Sequence, residues 1–487
     1  MTLTAHHVVL PVALPLLVAF LLPLVGRLSD GLARLLAQLT TLAVAVIALL
    51  LWPAASDGGA LVSAMGGFAA PIGIVFYADK LALMFVVALA VGLLLFRPRR
   101  EHDSTKVQTL WLLLLAGGSG LVLSGDLFNI FVFYEITAVA TYGLGASAHT
   151  GAGYGASLRY LLLSALGSAF ALLGIALVYA AAGTLNLADL SQLAGERLTG
   201  PMGLTAFVLM VLGFGVKAEL FPVNTWVPEV YTAAPTRVTA VLAGVVSKLA
   251  MVVILRLLVL LFQDPAALGF LLLLGAIGVA AGELAAFRSR DLHRTFAYSS
   301  IAQLGLMAVA FSIPGHAGVL AGIAVALHHL VVKPAFFVLA DRWRGEIAGL
   351  TGAGRTSPLA AGLFVLLSLS IIGIPPLPGF WAKLMLFKAA IDAGGAGNLT
   401  AVAIILAATV IEAAYLFRVV GILYGTAPAG RPPLRFTLGE LAPGLLLGAV
   451  LIAATVSVAP LGDGLTAMAA DSADAAAYAS RVLPGGN

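Results

Sequence analysis

Runs of about 20 consecutive apolar residues, long enough to cross a hydrocarbon core, recur along almost the whole chain. They start near Val8, Leu32, Ile74, Thr109, Asp126, Ala156 and Leu204, and again near Val238, Leu268, Thr295, Val319, Pro358, Leu399 and Leu438. The pattern predicts an all-α polytopic membrane protein with about 14 transmembrane helices. The first run has no basic stretch before it and many similar runs follow, so it reads as a retained span.

The polar segments between the runs are not alike. Arg27/Arg34, Arg97/Arg99/Arg100/Lys106, Arg288/Arg290/Arg294, Arg342/Arg344/Arg355 and Arg431/Arg435 follow spans one, three, nine, eleven and thirteen. The loops after spans five and seven hold Arg159 and Arg237, whereas Pro53 to Pro71, Gln263 to Ala267, Ser312 to Gly318 and Asp392 to Asn398 hold no Lys or Arg. Short cytoplasmic loops collect basic residues. The alternation therefore places the odd-to-even loops inside and both termini outside, with Arg197 as the main exception.

Two spans contain breakers. Pro222 and Pro228 flank the end of the seventh, and Pro375, Pro376 and Pro378 interrupt the twelfth. Proline removes a backbone donor, and the freed groups must be satisfied by protein or by cavity water. Breaks five spans apart are consistent either with packing kinks or with an internal repeat whose two broken helices lie near transport sites. On the second reading the chain divides into 1–107 (spans one to three), 108–262 (a first repeat, spans four to eight), 263–425 (a second, nine to thirteen) and 426–487 (the last span and tail).

Composition sharpens this picture. Hydrophobic residues make up 61% of the 487 and charged residues only 10%, against roughly a quarter charged in soluble domains. The net charge of +4 comes from a few loops rather than a continuous patch, so nucleic-acid binding has no support. There is no Cys, which excludes disulfides, thiolate metal sites and cysteine-ligated clusters and leaves any redox chemistry to other subunits. No cofactor is implied.

Lysine is the informative residue. Only seven of the 26 basic residues are Lys, yet Lys217, Lys248, Lys333 and Lys383 all fall inside apolar runs. Arg stays protonated, whereas a desolvated Lys can release its proton, which suits a relay. An ionisable group deep in a span is costly unless it is paired or hydrated. Lys80, Lys106 and Lys388 fit snorkelling instead. Glu135 lies about two turns into span five among large apolar residues and needs a partner, for which Lys217 is the natural candidate. His328, His329 and Lys333 crowd span eleven, and His329 and Lys333 share one helix face at i and i+4. Adjacent histidines diverge and no third ligand accompanies them, so a metal site is not expected. Glu412, within span thirteen, can end such a path. Asp126, Glu219, Glu229, Glu283 and Arg159 lie nearer span ends, where water-facing or structural pairing is expected.

Together these residues form motifs: Gly125-Asp-Leu-Phe-Asn-Ile-Phe-Val-Phe-Tyr-Glu135, Gly215-Val-Lys217 through Trp226-Val-Pro228, Ala233-Ala-Pro235 through Lys248, Asp291-Leu-His-Arg-Thr-Phe-Ala-Tyr-Ser-Ser-Ile-Ala-Gln303, and Gly373-Ile-Pro-Pro-Leu-Pro-Gly-Phe-Trp-Ala-Lys383. The chain thereby resembles the antiporter-like subunits shared by Mrp cation/proton antiporters, respiratory complex I and membrane-bound hydrogenases, over about Tyr77 to Gly425. The Gly-Asp-Leu-Phe-Asn run, the length and Lys rather than Glu at 383 look most like the Mrp D subunit. The resemblance implies fourteen helices with two inverted five-helix repeats. It also implies Glu135 and Lys217 as a coupling pair, Lys248 as central proton carrier, His328 or His329 with Lys333 as a bridge, and Lys383 as distal carrier. Arg159 stands where the family often has Lys, and Asn224 and Tyr231 stand where it often has His.

Two functions follow as expectations. One is a Na+(K+)/H+ antiporter subunit in a prokaryotic inner membrane, working with other membrane subunits. The other is a proton-pumping subunit of a redox complex, and only there would it serve a translocase. An intramembrane enzyme is disfavoured, since no His-Glu-x-x-His helix or Gly-x-Ser-x-Gly elbow is present.

The topology is testable on this Cys-free chain. Cysteines introduced at Ser104 and Ser472 are expected to react with an impermeant thiol reagent from opposite sides of the membrane. Reaction of both from one side would contradict it.

Overall fold

The computed structural model describes residues 4–57, 59–98, 103–427 and 434–483. Arg99, Arg100 and Arg431, three of the basic loop positions, lie outside the described residues.

The chain begins with α1 (Leu10–Leu28) and α2 (Asp30–Asp57), then a hairpin of β1 (Leu61–Ala64) and β2 (Val75–Ala78), paired antiparallel with Leu61 opposite Ala78. Next come α3 (Lys80–Leu95), α4 (Thr105–Leu123), α5 (Leu127–Ala146), α6 (Gly151–Ala182), α7 (Leu187–Arg197) and α8 (Pro201–Gly215). After a non-helical stretch follow α9 (Val227–Ala233), α10 (Thr236–Val241), a π-helical turn (Leu242–Val246) and α11 (Ser247–Leu260). The remainder is α12 (Pro265–Arg288), α13 (Leu292–Phe311), α14 (His316–Arg342), α15 (Ala353–Thr356), α16 (Pro358–Ile372), α17 (Pro378–Ala393), α18 (Gly395–Leu423), α19 (Leu438–Val456), α20 (Val458–Ser472) and α21 (Ala475–Val482).

Among the described residues, ten helices are long and apolar enough to cross a membrane, or eleven if the bent pair Ile347–Thr356 and Pro358–Ile372 is one span. The third window departs from expectation, because its first residues form β2 rather than helix. Val75-Phe76-Tyr77 are β-branched and aromatic, which suits a pleated strand. The helix starts only where Asp79 accepts a hydrogen bond from the Ala82 amide. The fold is therefore nearly, not wholly, helical.

Both expected interruptions are present as non-helical backbone. Helix α8 ends at Gly215 and helix resumes at Val227 with Pro228 in its first turn. Helix α16 ends at Ile372 and α17 begins at Pro378. Proline in a first turn costs nothing, since that N–H has no partner in the helix anyway.

The chain forms two compact units. The first comprises Met1–Ala218, Val245–Leu268 and Ala470–Asn487, the second Glu219–Gly244 and Gly269–Ala469. In the first, α11 is buried on all sides, as expected for a helix apolar all round. Its ends of like charge meet as the loop pattern requires. Thr105 donates to Asp30 at 2.6 Å and Arg34 reaches Asp103 at 3.7 Å, so the basic loops after α1 and α3 share one end. At the Arg-poor side, Asp79 holds Arg256 of α11 at 3.0 Å, and that guanidinium lies over the rings of Tyr77 and Tyr478. Arg481 adds bonds to Tyr77 (3.0 Å) and Asp471 (2.8 Å), tying α21 to this unit. Helices α6 and α8 touch through glycine: a Cβ on Gly213 would stand 2.5 Å from the Gly167 carbonyl oxygen.

In the second unit α14 is the buried centre, packed against α13, α17 and α19. Its basic ends also cluster. Arg342 bonds the Arg435 carbonyl at 3.2 Å and Arg355 the Tyr424 carbonyl at 3.1 Å, which joins the loops after α14 and α18.

Candidate functional site

In the first unit Glu135 stands on α5, and the hydroxyl of Ser168 on α6 donates to its carboxylate. Lys217, buried just beyond α8, donates to Ser164 at 3.2 Å and lies 3.4 Å from the centre of the Tyr134 ring. Ser164 and Ser168 are one turn apart on one face of α6. Among the described residues no ion pair within 4.0 Å joins Glu135 to Lys217. Two serine hydroxyls intervene, while the carboxylate acts on the ammonium through space. Tyr134 is itself fixed, because its hydroxyl donates to the Gly213 carbonyl at 2.8 Å. Lys248, fully buried at the start of α11, donates to Ser247 at 3.2 Å and follows directly on the π-helical turn. Such turns are frequent at functional sites because the extra residue re-aims a side chain.

The second unit holds the rest. Lys333 on α14 donates to Ser299 of α13 at 2.6 Å and to the Phe296 carbonyl at 3.3 Å. His329 faces the neighbouring Ser300 at 3.4 Å, and His328 meets Ser370 of α16 at 2.9 Å. The two histidines thus diverge to different helices, as adjacency required. Lys383 on α17 binds the Ile372 carbonyl (3.1 Å), Thr409 (3.2 Å) and Glu412 of α18 (2.9 Å), and Gln303 donates to the same carboxylate at 3.2 Å. The Lys383–Glu412 ion pair is buried. The break after α16 makes this bond possible, since it frees the last carbonyls of that helix from intrahelical partners.

Two carboxylates expected near span ends are fully buried. Glu219 is 0% exposed, at a φ of 56°, and accepts from the Tyr231 hydroxyl at 2.5 Å. Glu283 is 3% exposed on α12. Distance along the chain from a span centre does not measure burial when other helices close over the end. Sequence reasoning also missed Ser164, Ser168, Ser299, Ser370, Gln303 and Thr409. These are ordinary residues of apolar helices, and only their proximity to a charge marks them.

Fold and site define a multi-pass membrane protein whose interior carries lysines, histidines and carboxylates held by hydroxyl groups. The chain belongs to the NADH:quinone oxidoreductase/Mrp antiporter transmembrane family, whose model matches residues 124–412. It is 32% identical over 440 residues to the N subunit of the NADH-quinone oxidoreductase of Desulforudis audaxviator, covering 86% of each chain. It is likewise 32% identical over 401 residues to the D subunit of the Na(+)/H(+) antiporter of Alkalihalophilus pseudofirmus, covering 79% of this chain and 80% of that one. Among solved structures it is similar to a chain of the membrane-bound sulfane sulfur reductase, an archaeal respiratory membrane complex, with TM-score 0.91, 32% identity and 99% and 100% of the two chains covered. A chain of the Mrp complex from Dietzia sp. matches with TM-score 0.88, 25% identity and 98% and 99% coverage.

The serine bridge makes a prediction. Ser164→Ala removes the oxygen that accepts from the buried Lys217 ammonium and is expected to cost about 1–3 kcal/mol, as for a hydrogen bond to a charged group. Thermal unfolding of the detergent-solubilised protein reads this as a lower Tm, with Ser164→Thr close to the parent. An unchanged Tm in Ser164→Ala would contradict the bridge.

Proposed function

We propose that this chain is the proton- and cation-translocating subunit of a multisubunit Mrp-type Na+(K+)/H+ antiporter in a prokaryotic plasma membrane. One observation carries the proposal. All four lysines buried within apolar segments donate to a hydroxyl oxygen: Lys217 to Ser164, Lys248 to Ser247, Lys333 to Ser299 and Lys383 to Thr409. A hydroxyl accepts and donates at once, so it can hold an ammonium and also pass a proton onward. Anchoring by carboxylates alone would fix the charge.

In chain order the path uses Glu135 and Lys217 as coupling pair, Lys248 as central carrier, His328 or His329 with Lys333 as bridge, and Lys383 with Glu412 as distal end. The fourteen windows are read as spans, in two inverted repeats over 108–262 and 263–425. Local likeness supports that reading. Asp126 caps α5 and bridges to Asn186, just as Asp291 caps α13 and bridges to Glu346. Each capped helix is followed by a long helix, a short polar segment and a span with a break. The partners are the other membrane subunits of such an assembly.

A second reading has specific support: the relatives include a quinone oxidoreductase subunit, and the sulfane sulfur reductase chain shares the fold along its whole length. In that setting the same relay would be driven by electron transfer in partner subunits. Purification of the native complex with its partners identified separates the two.

Lys248→Ala is expected to abolish ion-coupled proton movement in vesicles while the complex still assembles. Lys248→Arg is expected to fail as well, because a guanidinium keeps the charge but does not release its proton. Normal transport by the Arg variant would show that a fixed charge suffices and would remove the carrier role.

A further inference from the structure

One buried imidazole takes no part in the path set out above. His293 stands in the first turn of α13, is 3% exposed, and its Nε2 meets no hydrogen-bond partner among the described residues. A buried polar atom left unpaired is rare and calls for a reason, such as a part in proton transfer. Were the ring there only to pack, an apolar one would serve.

Its place along the seam between α13 and α14 supplies one. Three contacts run in opposite order along the two helices: Ser300 with His329 at 3.4 Å, the Phe296 carbonyl with Lys333 at 3.3 Å, and the His293 ring with that of Phe337 at 6.2 Å between centres. Residues 293, 296 and 300 share one face of α13, and 329, 333 and 337 one face of α14. His329, Lys333 and His293 therefore follow one another down a single seam. From Phe296 to His293 the helix rises about 4.5 Å. Beyond His293 the seam reaches water at the Arg-rich end. The charged groups acting on the ring are Arg344, Asp291 and Asp341. The side chains of Arg344 and Asp341 are 53% and 21% exposed and pair at 3.5 Å, and Arg344 also donates to Thr236 at 2.6 Å. Helix α9, likewise packed on α13, brings Tyr231, whose hydroxyl donates to Glu219 at 2.5 Å.

We propose that His293 exchanges protons between water at Asp291 and Asp341 and the fully buried Lys333, and so opens the path of the second unit at its Arg-rich end. This rests on the transport reading and gives it an entry. A neutral imidazole holds a proton on one nitrogen and a lone pair on the other, which suits it to shuttling. A proton from water joins the free nitrogen, and the imidazolium then gives the proton on its other nitrogen to the neutral amine of Lys333. One proton enters and one leaves, and the ring is neutral again in its other tautomer. The reverse order discharges Lys333. The rings of Phe296 and Phe337 meet edge to face at 5.9 Å beside this step. Apolar rings disfavour a standing water chain, which guards the path against leakage.

The test measures proton movement in vesicles holding the multisubunit complex, parent beside variants. His293→Phe keeps a ring against Phe337 and removes both nitrogens; it is expected to assemble and to slow proton movement about tenfold or more. His293→Ala is expected to be as slow and to recover with added imidazole but not with pyrrole, which has the same shape and no basic nitrogen. Parent-like transport by an assembled His293→Phe complex overturns the proposal and leaves the ring a packing element. Recovery of His293→Ala with both compounds, or with neither, overturns it as well. If His293→Phe alone does not assemble, the recovery decides, and loss of assembly in both variants would make the ring structural and overturn the proposal equally. A parent complex that moves no protons overturns the transport reading itself.

Discussion

An ammonium cannot sit bare among apolar helices, and the rest of this structure is arranged around that constraint. The desolvation cost of a buried charge is several kcal/mol after relaxation, comparable to the whole margin of stability of a domain. Each buried lysine therefore dictates what stands opposite it. Lys217 requires α6 close enough for Ser164 to reach, and α6 approaches α8 closely because Gly167 and Gly213 lack side chains. Lys333 requires the serine-rich face of α13, and Lys383 requires the broken end of α16 for the Ile372 carbonyl.

The same constraint links packing to chemistry. A carboxylate directly on a lysine satisfies the charge most cheaply, and Lys383 has one in Glu412. At Lys217 and Lys333 serine hydroxyls hold the ammonium. Glu135 follows the same logic from the other side, because Ser168 is its hydrogen-bond donor and the two serines of α6 separate it from Lys217.

Much of this was legible in the chain. Apolar runs and the two proline clusters marked most of the long helices and both interruptions, and the arginine pattern the shared basic ends, since each is a property of neighbours in sequence. The lysines were legible because a charge deep in an apolar run is costly unless it is paired or hydrated. The hairpin strand Val75–Ala78 was not, because apolar content alone does not separate a buried strand from a span. Ser164 and Ser299 were invisible, because serine in a helix ordinarily bonds its own backbone and only a partner from another helix gives it a role. Of the two readings open for Glu219 and Glu283, facing water or structural pairing, burial excludes the first, and that burial comes from helices distant in sequence. The π-helical turn before Lys248 leaves no compositional trace at all.

The central claim is that Glu135 and Lys217 act as one unit through the serines of α6, and a double-mutant cycle tests it most directly. Proton transport is measured in vesicles carrying the parent, Glu135→Ala, Lys217→Ala and both together. Groups acting as a unit are strongly non-additive, so each single variant should be inactive and the double variant little worse than either. Strictly additive losses, or full activity of Glu135→Ala with normal assembly, would show that the carboxylate serves another partner and that the coupled pair does not exist.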